Sequence, residues 1–195
     1  MKIAAVIPTL GERPELMQLT TQLVAEGVDV ITLGRPHEHN IHTTWNAGAR
    51  LARSWKADYI AVLNDDIRLP TRTLATLQMA MQTYDYACVG VDPTAKFGLP
   101  ADPHIIPVTG NVGDLMVGVT TWCFMVKASA WVDIDEQYKW WYGVGDLFTK
   151  IIENGGRLGR VTGLGIIHAG SATAARYPWT QEAKRQDGRR WRESH

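Results

Sequence analysis

The stretch Tyr59-Ile60-Ala61-Val62-Leu63-Asn64-Asp65-Asp66 runs five apolar residues straight into an amide and two carboxylates. Five apolar positions without alternation suit a parallel strand buried on both faces. Similar runs occur at 2–7, closed by Pro8, and at 28–33 and 86–91. Helical spacing fills the gaps. Leu16, Leu19, Leu23 and Val24 mark a helix over 14–26 that stops at Gly27. Ala47, Leu51 and Trp55 form one stripe over 43–55, and Leu74, Leu77, Met81 and Tyr84 form another over 71–84. Strands alternating with helices predict an α/β fold built on a doubly wound, mainly parallel sheet. The rhythm breaks at 92–118, a stretch rich in Pro and Gly that reads as a long loop. A strand over 119–127, a helix over 145–155 and a last strand over 160–167 follow.

Composition narrows the function. With 195 residues, 45% of them apolar, the chain has enough material for one compact domain, expected over 1–175. Lys+Arg and Asp+Glu both number 20, which argues against a protein that coats nucleic acid or anionic membrane. The balance hides a basic tail over 176–195, with Lys184, Arg185, Arg189, Arg190 and Arg192. That tail reads either as a solvated end or as a contact for an anionic acceptor. Two cysteines exclude a disulfide scaffold and a cysteine-only zinc site. No apolar run has the length of a membrane span, so a soluble, cytoplasmic protein is expected.

Several residues are placed for chemistry. In an open parallel sheet, ligands bind at the carboxyl ends of strands. Asn64-Asp65-Asp66 stands there, and reads either as a polar turn or as a holder of a hard cation. His168 follows the last apolar strand and is either a hydrogen-bonded structural histidine or a ligand. Asp146 opens the helix after Trp140-Trp141-Tyr142 and is either a first-turn acid or a general base. The three aromatic residues are either core or a platform for a sugar face. The turn Pro8-Thr9-Leu10-Gly11-Glu12-Arg13 lacks both the GxGxxG fingerprint and the P-loop pattern, which weighs against a dinucleotide cofactor and a P-loop NTPase.

Taken in order, these segments resemble the family 2 glycosyltransferases of the GT-A fold group. The resemblance is carried by Ala5-Val6-Ile7-Pro8-Thr9 with Arg13-Pro14-Glu15-Leu16, by the helix Trp45-Asn46-Ala47-Gly48-Ala49-Arg50, and by Asn64-Asp65-Asp66 at the DXD position. Ile134-Asp135-Glu136 with Gly145-Asp146-Leu147, and Ile167-His168-Ala169-Gly170-Ser171, complete it. The sequence departs from the family where Asn64 replaces the first DXD acid, where Gly145 replaces one of an acidic pair, and where no acid follows residues 28–33.

The resemblance implies a metal-dependent, inverting glycosyltransferase that takes its sugar from a nucleotide-diphosphate sugar, a UDP-sugar by expectation. Mn2+ or Mg2+ would be held by Asp66 and His168. The donor would meet Pro8, Thr9, Glu12, Arg13, Asn46, Arg50, Asn64 and Asp65. Asp146 would be the base, and Trp140, Trp141 and Tyr142 the acceptor platform. The acceptor hydroxyl would lie on a glycan, a protein or a nucleic-acid base. A nucleotidyltransferase and a non-catalytic sugar-nucleotide binder are the alternatives.

Overall fold

A computed structural model of the chain describes residues 1–11, 13–34, 40–92, 100–108, 121–168 and 177–194. The described elements run β1 (Ile3–Thr9), α1 (Pro14–Ala25), β2 (Asp29–Gly34), α2 (Ile41–Ser54), β3 (Tyr59–Leu63), β4 (Ile67–Arg68), α3 (Thr73–Tyr84) and β5 (Cys88–Val91). They continue with β6 (Pro100–Val108), β7 (Cys123–Lys127), α4 (Gly143–Glu153), β8 (Leu158–Leu164), β9 (Ile167–His168) and α5 (Trp179–Ser194).

Among the described residues the main sheet has 7 strands in the order β2-β1-β3-β7-β5-β8-β6. The pairs β1–β2, β1–β3 and β5–β8 are parallel, while β3–β7, β5–β7 and β6–β8 are antiparallel. Strands β1, β2, β3, β5 and β8 therefore point one way, with β7 and β6 against them. The expected parallel sheet is present, with one reversed strand inserted between β3 and β5. Alternate residues of β1 and β3 feed two cores. Ile3, Ala5, Ile7, Tyr59, Ala61 and Leu63 pack with Leu19, Leu23, Leu74 and Leu77 of α1 and α3. Ala4, Val6, Ile60 and Val62 pack with Trp45, Ala49, Leu147 and Phe148 of α2 and α4. Burial on both faces is what the unbroken apolar runs require.

Three expectations are corrected. The stretch 92–118 is not a loop throughout, because β6 lies in it; Pro100, Pro103 and Pro107 fit there because β6 is an edge strand, paired among the described residues with β8 alone. The rest of that stretch, apart from Asp92, lies outside the described residues. The single last strand divides at Gly165, whose φ of +63° turns the chain out of the sheet. Residues Ile167 and His168 then pair with Arg68 and Ile67 in a separate two-stranded ribbon. The basic tail is a helix, α5, with Thr180, Ala183, Asp187 and Gly188 buried. Among the described residues no helix is long and apolar enough to cross a membrane.

Helix α2 lies close on β1 because Gly48 faces Val6. A Cβ at Gly48 would stand 2.3 Å from Val6 Cγ1 and 2.9 Å from Cγ2. Gly48→Ala is expected to lose about 1–3 kcal/mol by overpacking, despite alanine's better helix propensity. Urea unfolding with an unchanged m value checks this.

Candidate active site

The carboxyl ends of β1 and β3 meet in a cleft lined by Pro8, Thr9, Leu10, Ile41, Asn64, Asp65, Asp66 and Trp140. Its volume is about 40 Å3, room for a water or an ion and not for a nucleotide, so these residues form the floor of any larger site. Asn64 is fixed by its backbone, whose N–H donates to the Trp122 carbonyl at 2.9 Å. The next two residues, Asp65 and Asp66, are both buried.

Asp65 faces β1. Thr9 Oγ1 donates to Asp65 Oδ2 at 2.7 Å, lies 2.5 Å from the Gly11 carbonyl and accepts the Gly11 N–H at 3.2 Å. The hydroxyl has one proton for two acceptor oxygens. Protonation of Asp65 would complete the chain by donating to Thr9. Burial, followed by the Asp66 charge, holds the Asp65 carboxyl above its ordinary range against Thr9 and Arg13.

Asp66 faces His168. Burial pushes its carboxyl up, but the His168 ring and then Arg13 outweigh burial and hold it below its ordinary value. His168 Nε2 lies 3.2 Å from Asp66 Oδ1, yet that buried oxygen receives no hydrogen bond. The contact is close and poorly aligned. Asn64 Nδ2 also lies 3.4 Å from His168 Nε2, where an acceptor tautomer suits it. Trp122 stacks on the imidazole at 5.0 Å and 17°, which fixes the ring plane. Arg13 reaches in from the start of α1, with Nε 3.5 Å from Asp65 Oδ2 and a terminal nitrogen 3.9 Å from Asp66 Oδ2.

These residues fit a hard cation. An unbonded buried carboxylate oxygen faces an imidazole nitrogen at 3.2 Å. Adjacent ligands of an octahedral ion at about 2.1 Å are about 3 Å apart. Among the described residues no group of three His, Cys, Asp or Glu side chains is placed to hold a metal, so two protein ligands would need a substrate to complete the shell.

Other expected site residues are engaged elsewhere. Asn46 is a buried brace: its Nδ2 donates to the Ile134 carbonyl at 2.9 Å and to Glu136 Oε1 at 3.2 Å, and its Oδ1 accepts the Ile134 N–H at 2.9 Å. Arg50 is exposed and pairs with Asp133 at 2.6 Å and Glu136 at 3.5 Å. Asp146 Oδ2 accepts the Asp135 N–H at 2.9 Å and pairs with Lys150 at 2.7 Å. None of the three lines the cleft. Their geometry is that of first-turn and interlayer anchors. Glu12, Ala169, Gly170 and Ser171 lie outside the described residues.

Trp140 is the one member of the aromatic run that reaches the cleft. Trp141 Nε1 donates to the Thr180 carbonyl at 3.2 Å, and Tyr142 stacks on Trp191 at 6.0 Å. A buried carboxylate holds the run. Asp187 of α5 accepts the N–H groups of Lys139 at 3.0 Å, Trp140 at 2.8 Å and Trp141 at 2.8 Å. The sequence offers no mark of this role, because Asp187 looks like one acid in a basic segment. Beneath the same run, His42 is buried and its Nδ1–H donates to the Tyr138 carbonyl at 2.9 Å. Burial lowers its pKa to about 4 against that bond and the charges of Asp187 and Asp146.

No protein-family profile matches the chain, and no curated protein sequence matches it. Solved structures do. One titled "Crystal Structure of A197 from STIV" aligns over 86% of this chain and 85% of its own, at 14% identity and a TM-score of 0.55. S. aureus TarS, residues 1–349, aligns over 83% of this chain and 60% of its own, at 10% identity and a TM-score of 0.54. A longer TarS structure gives 83% and 35%, at 10% identity and 0.55. The mixed seven-stranded sheet flanked by helices is an α/β fold of GT-A-like form. TarS is a GT-A-like glycosyltransferase, and this chain spans well under two thirds of its longer form.

Asp187→Asn removes the charge and leaves one strong acceptor for three N–H groups. It is expected to cost about 1.5–3 kcal/mol and to speed amide hydrogen exchange at Lys139, Trp140 and Trp141 before the rest of the molecule. His42 gives the fold an acid limit. The unfolded chain takes up a proton near pH 6.5 and the folded chain only near 4, so stability is full above 6.5 and falls as pH drops between these values. The loss approaches about 3 kcal/mol, and His42→Gln should remove it. Urea midpoints from pH 7 to 4.5 for the two proteins check this.

Proposed function

We propose that the chain is a metal-dependent glycosyltransferase that moves a sugar from a nucleotide-diphosphate sugar, a UDP-sugar by expectation, to an acceptor hydroxyl. The observation that carries this reading is the buried Asp66 oxygen, unbonded and 3.2 Å from His168 Nε2 at the carboxyl end of β3. The GT-A-type fold and the likeness to TarS support it. Mn2+ or Mg2+ held by Asp66 and His168 would neutralise charge on the diphosphate leaving group.

The protein's own side chains supply the rest. Arg13 stands beside both carboxylates and is able to turn its guanidinium to a phosphate when the donor enters. Thr9 and Asp65 tie together the carboxyl ends of β1 and β3, on which the nucleoside would rest. Trp140 lines the cleft, where its ring would lie beside the donor or the acceptor. Trp122 keeps the imidazole in one plane, so His168 presents the same nitrogen to Asp66. Displacement at the anomeric carbon would invert its configuration.

The acceptor proton needs a base. Asp146 was the sequence-based choice, and its carboxylate is bound to Asp135 and Lys150 instead. That engagement favours one competing reading, a non-catalytic sugar-nucleotide binder of the same fold. Release of UDP from a panel of UDP-hexoses, with and without acceptor, separates an enzyme from a binder.

Calorimetry of UDP with Mn2+ and with EDTA tests the site. Mn2+ is expected to raise UDP affinity at least about tenfold, or ~1.4 kcal/mol. Asp66→Ala and His168→Ala should remove most of that gain, and Asn64→Ala should change it less. Equal affinity in Mn2+ and EDTA would sink the proposal.

A further inference from the structure

Helix α5 has one face in the protein and one in solvent. Thr180, Ala183, Asp187 and Gly188 are buried, and Lys184, Arg185, Arg189 and Arg192 are exposed. The four cations, with Tyr142, Gln181 and Gly188, line a groove of about 430 Å3. Residues 184 to 192 span about 12 Å at the rise of a helix, a length that covers about three phosphates of a stacked single strand. The exposed acids of the helix are Glu182 and Glu193, and Glu182 pairs with Arg185 at 2.5 Å, which leaves Lys184, Arg189 and Arg192 as the cations of the groove that carry the uncompensated charge. Lys184 lies over the Trp141 ring at 5.2 Å, a contact that leaves its charge uncompensated.

The groove is attached to the cleft through the backbone. Trp140 lines the cleft and Tyr142 lines the groove, two residues apart and so within about 7.6 Å between Cα atoms. The attachment is stiff. Asp187 holds Trp140 and Trp141 by their N–H groups, and Gly188 lies so near Tyr142 that a Cβ there would stand 3.3 Å from the ring. Tyr142 itself has a φ of 63°, a conformation that the neighbouring helix keeps in place.

We propose that this groove is the acceptor's anion subsite, and that the acceptor is a phosphodiester chain whose reacting unit lies over Trp140. This rests on the transferase reading of the adjoining cleft. The lining favours a phosphodiester over an acidic peptide because it offers a continuous row of cations and no aliphatic pocket for a side chain. Arginine forks match phosphate oxygens in pairs. The net charge of zero means that the attraction is local to α5 rather than a property of the whole surface.

Fluorescence anisotropy of a labelled abasic phosphodiester 12-mer, titrated with the full chain in EDTA and without donor, tests the subsite directly. Three neutralised phosphates predict a slope of log K against log salt of about −2.1, falling to about −0.7 in the double variant Arg189→Gln/Arg192→Gln. Both arginines are exposed, so the variant should keep the melting temperature and the Mn2+–UDP affinity of the intact protein. Equal slopes and affinities for variant and intact protein overturn the proposal. So does polyglutamate of the same length that competes as well as unlabelled 12-mer, since that marks generic charge. Intact protein that captures the 12-mer but shows no Mn2+-dependent UDP binding overturns the transferase reading, and with it the acceptor role of the groove. Loss of 12-mer binding in the variant with UDP binding intact supports both.

Discussion

Strand β3 is buried at all five positions, between parallel β1 and antiparallel β7. It has no free edge and no exposed face. A chain that leaves such a strand must find partners at once for its polar groups. Asn64 and Asp65 do so with groups from distant segments, the carbonyl of Trp122 and the hydroxyl of Thr9, whereas Asp66 Oδ1 stays unbonded with the ring of His168 3.2 Å away. Two adjacent buried carboxylates repel one another. The molecule tolerates them by giving one a hydroxyl and the other an imidazole, with Arg13 set beside both.

Another buried carboxylate does structural work of a different kind. Asp187 is 1% exposed and faces three backbone N–H groups rather than a cationic side chain. Charge-assisted bonds to backbone are strong, and they hold main chain rather than a flexible side chain. A segment with poor regular structure thus gains a fixed course, and Trp140 gains a fixed place at the cleft.

The strands could be read from the sequence because burial on both faces writes an unbroken apolar run. The helices could be read from their stripes. β6 was hidden by its prolines, which signal loop unless the strand is known to be an edge. The acids at the end of β3 were legible as candidates, but their partner was not. His168 meets Asp66 only because Gly165 turns the chain and a two-residue ribbon aligns Ile67 with His168. Asn46, Arg50 and Asp146 carried the right motif positions, yet their hydrogen bonds run to residues 133–136. Composition marks the residue type and says nothing of which neighbour claims it. Asp187 was the hardest to see, since its partners are backbone groups that every sequence contains.

The order of synthesis gives the site a history. Thr9, Arg13, Asp65 and Asp66 are all made before His168, which lies 104 positions after Asn64. At about 5–20 residues per second, roughly 5–20 s pass between them. During that interval the nascent sheet carries two neighbouring acids with Arg13 as their nearby cation. The reversed strand β7, which seals β3, is also made after β5, its other neighbour. The centre of the sheet therefore stays open until β7 enters it, and the cleft gains His168 only after that.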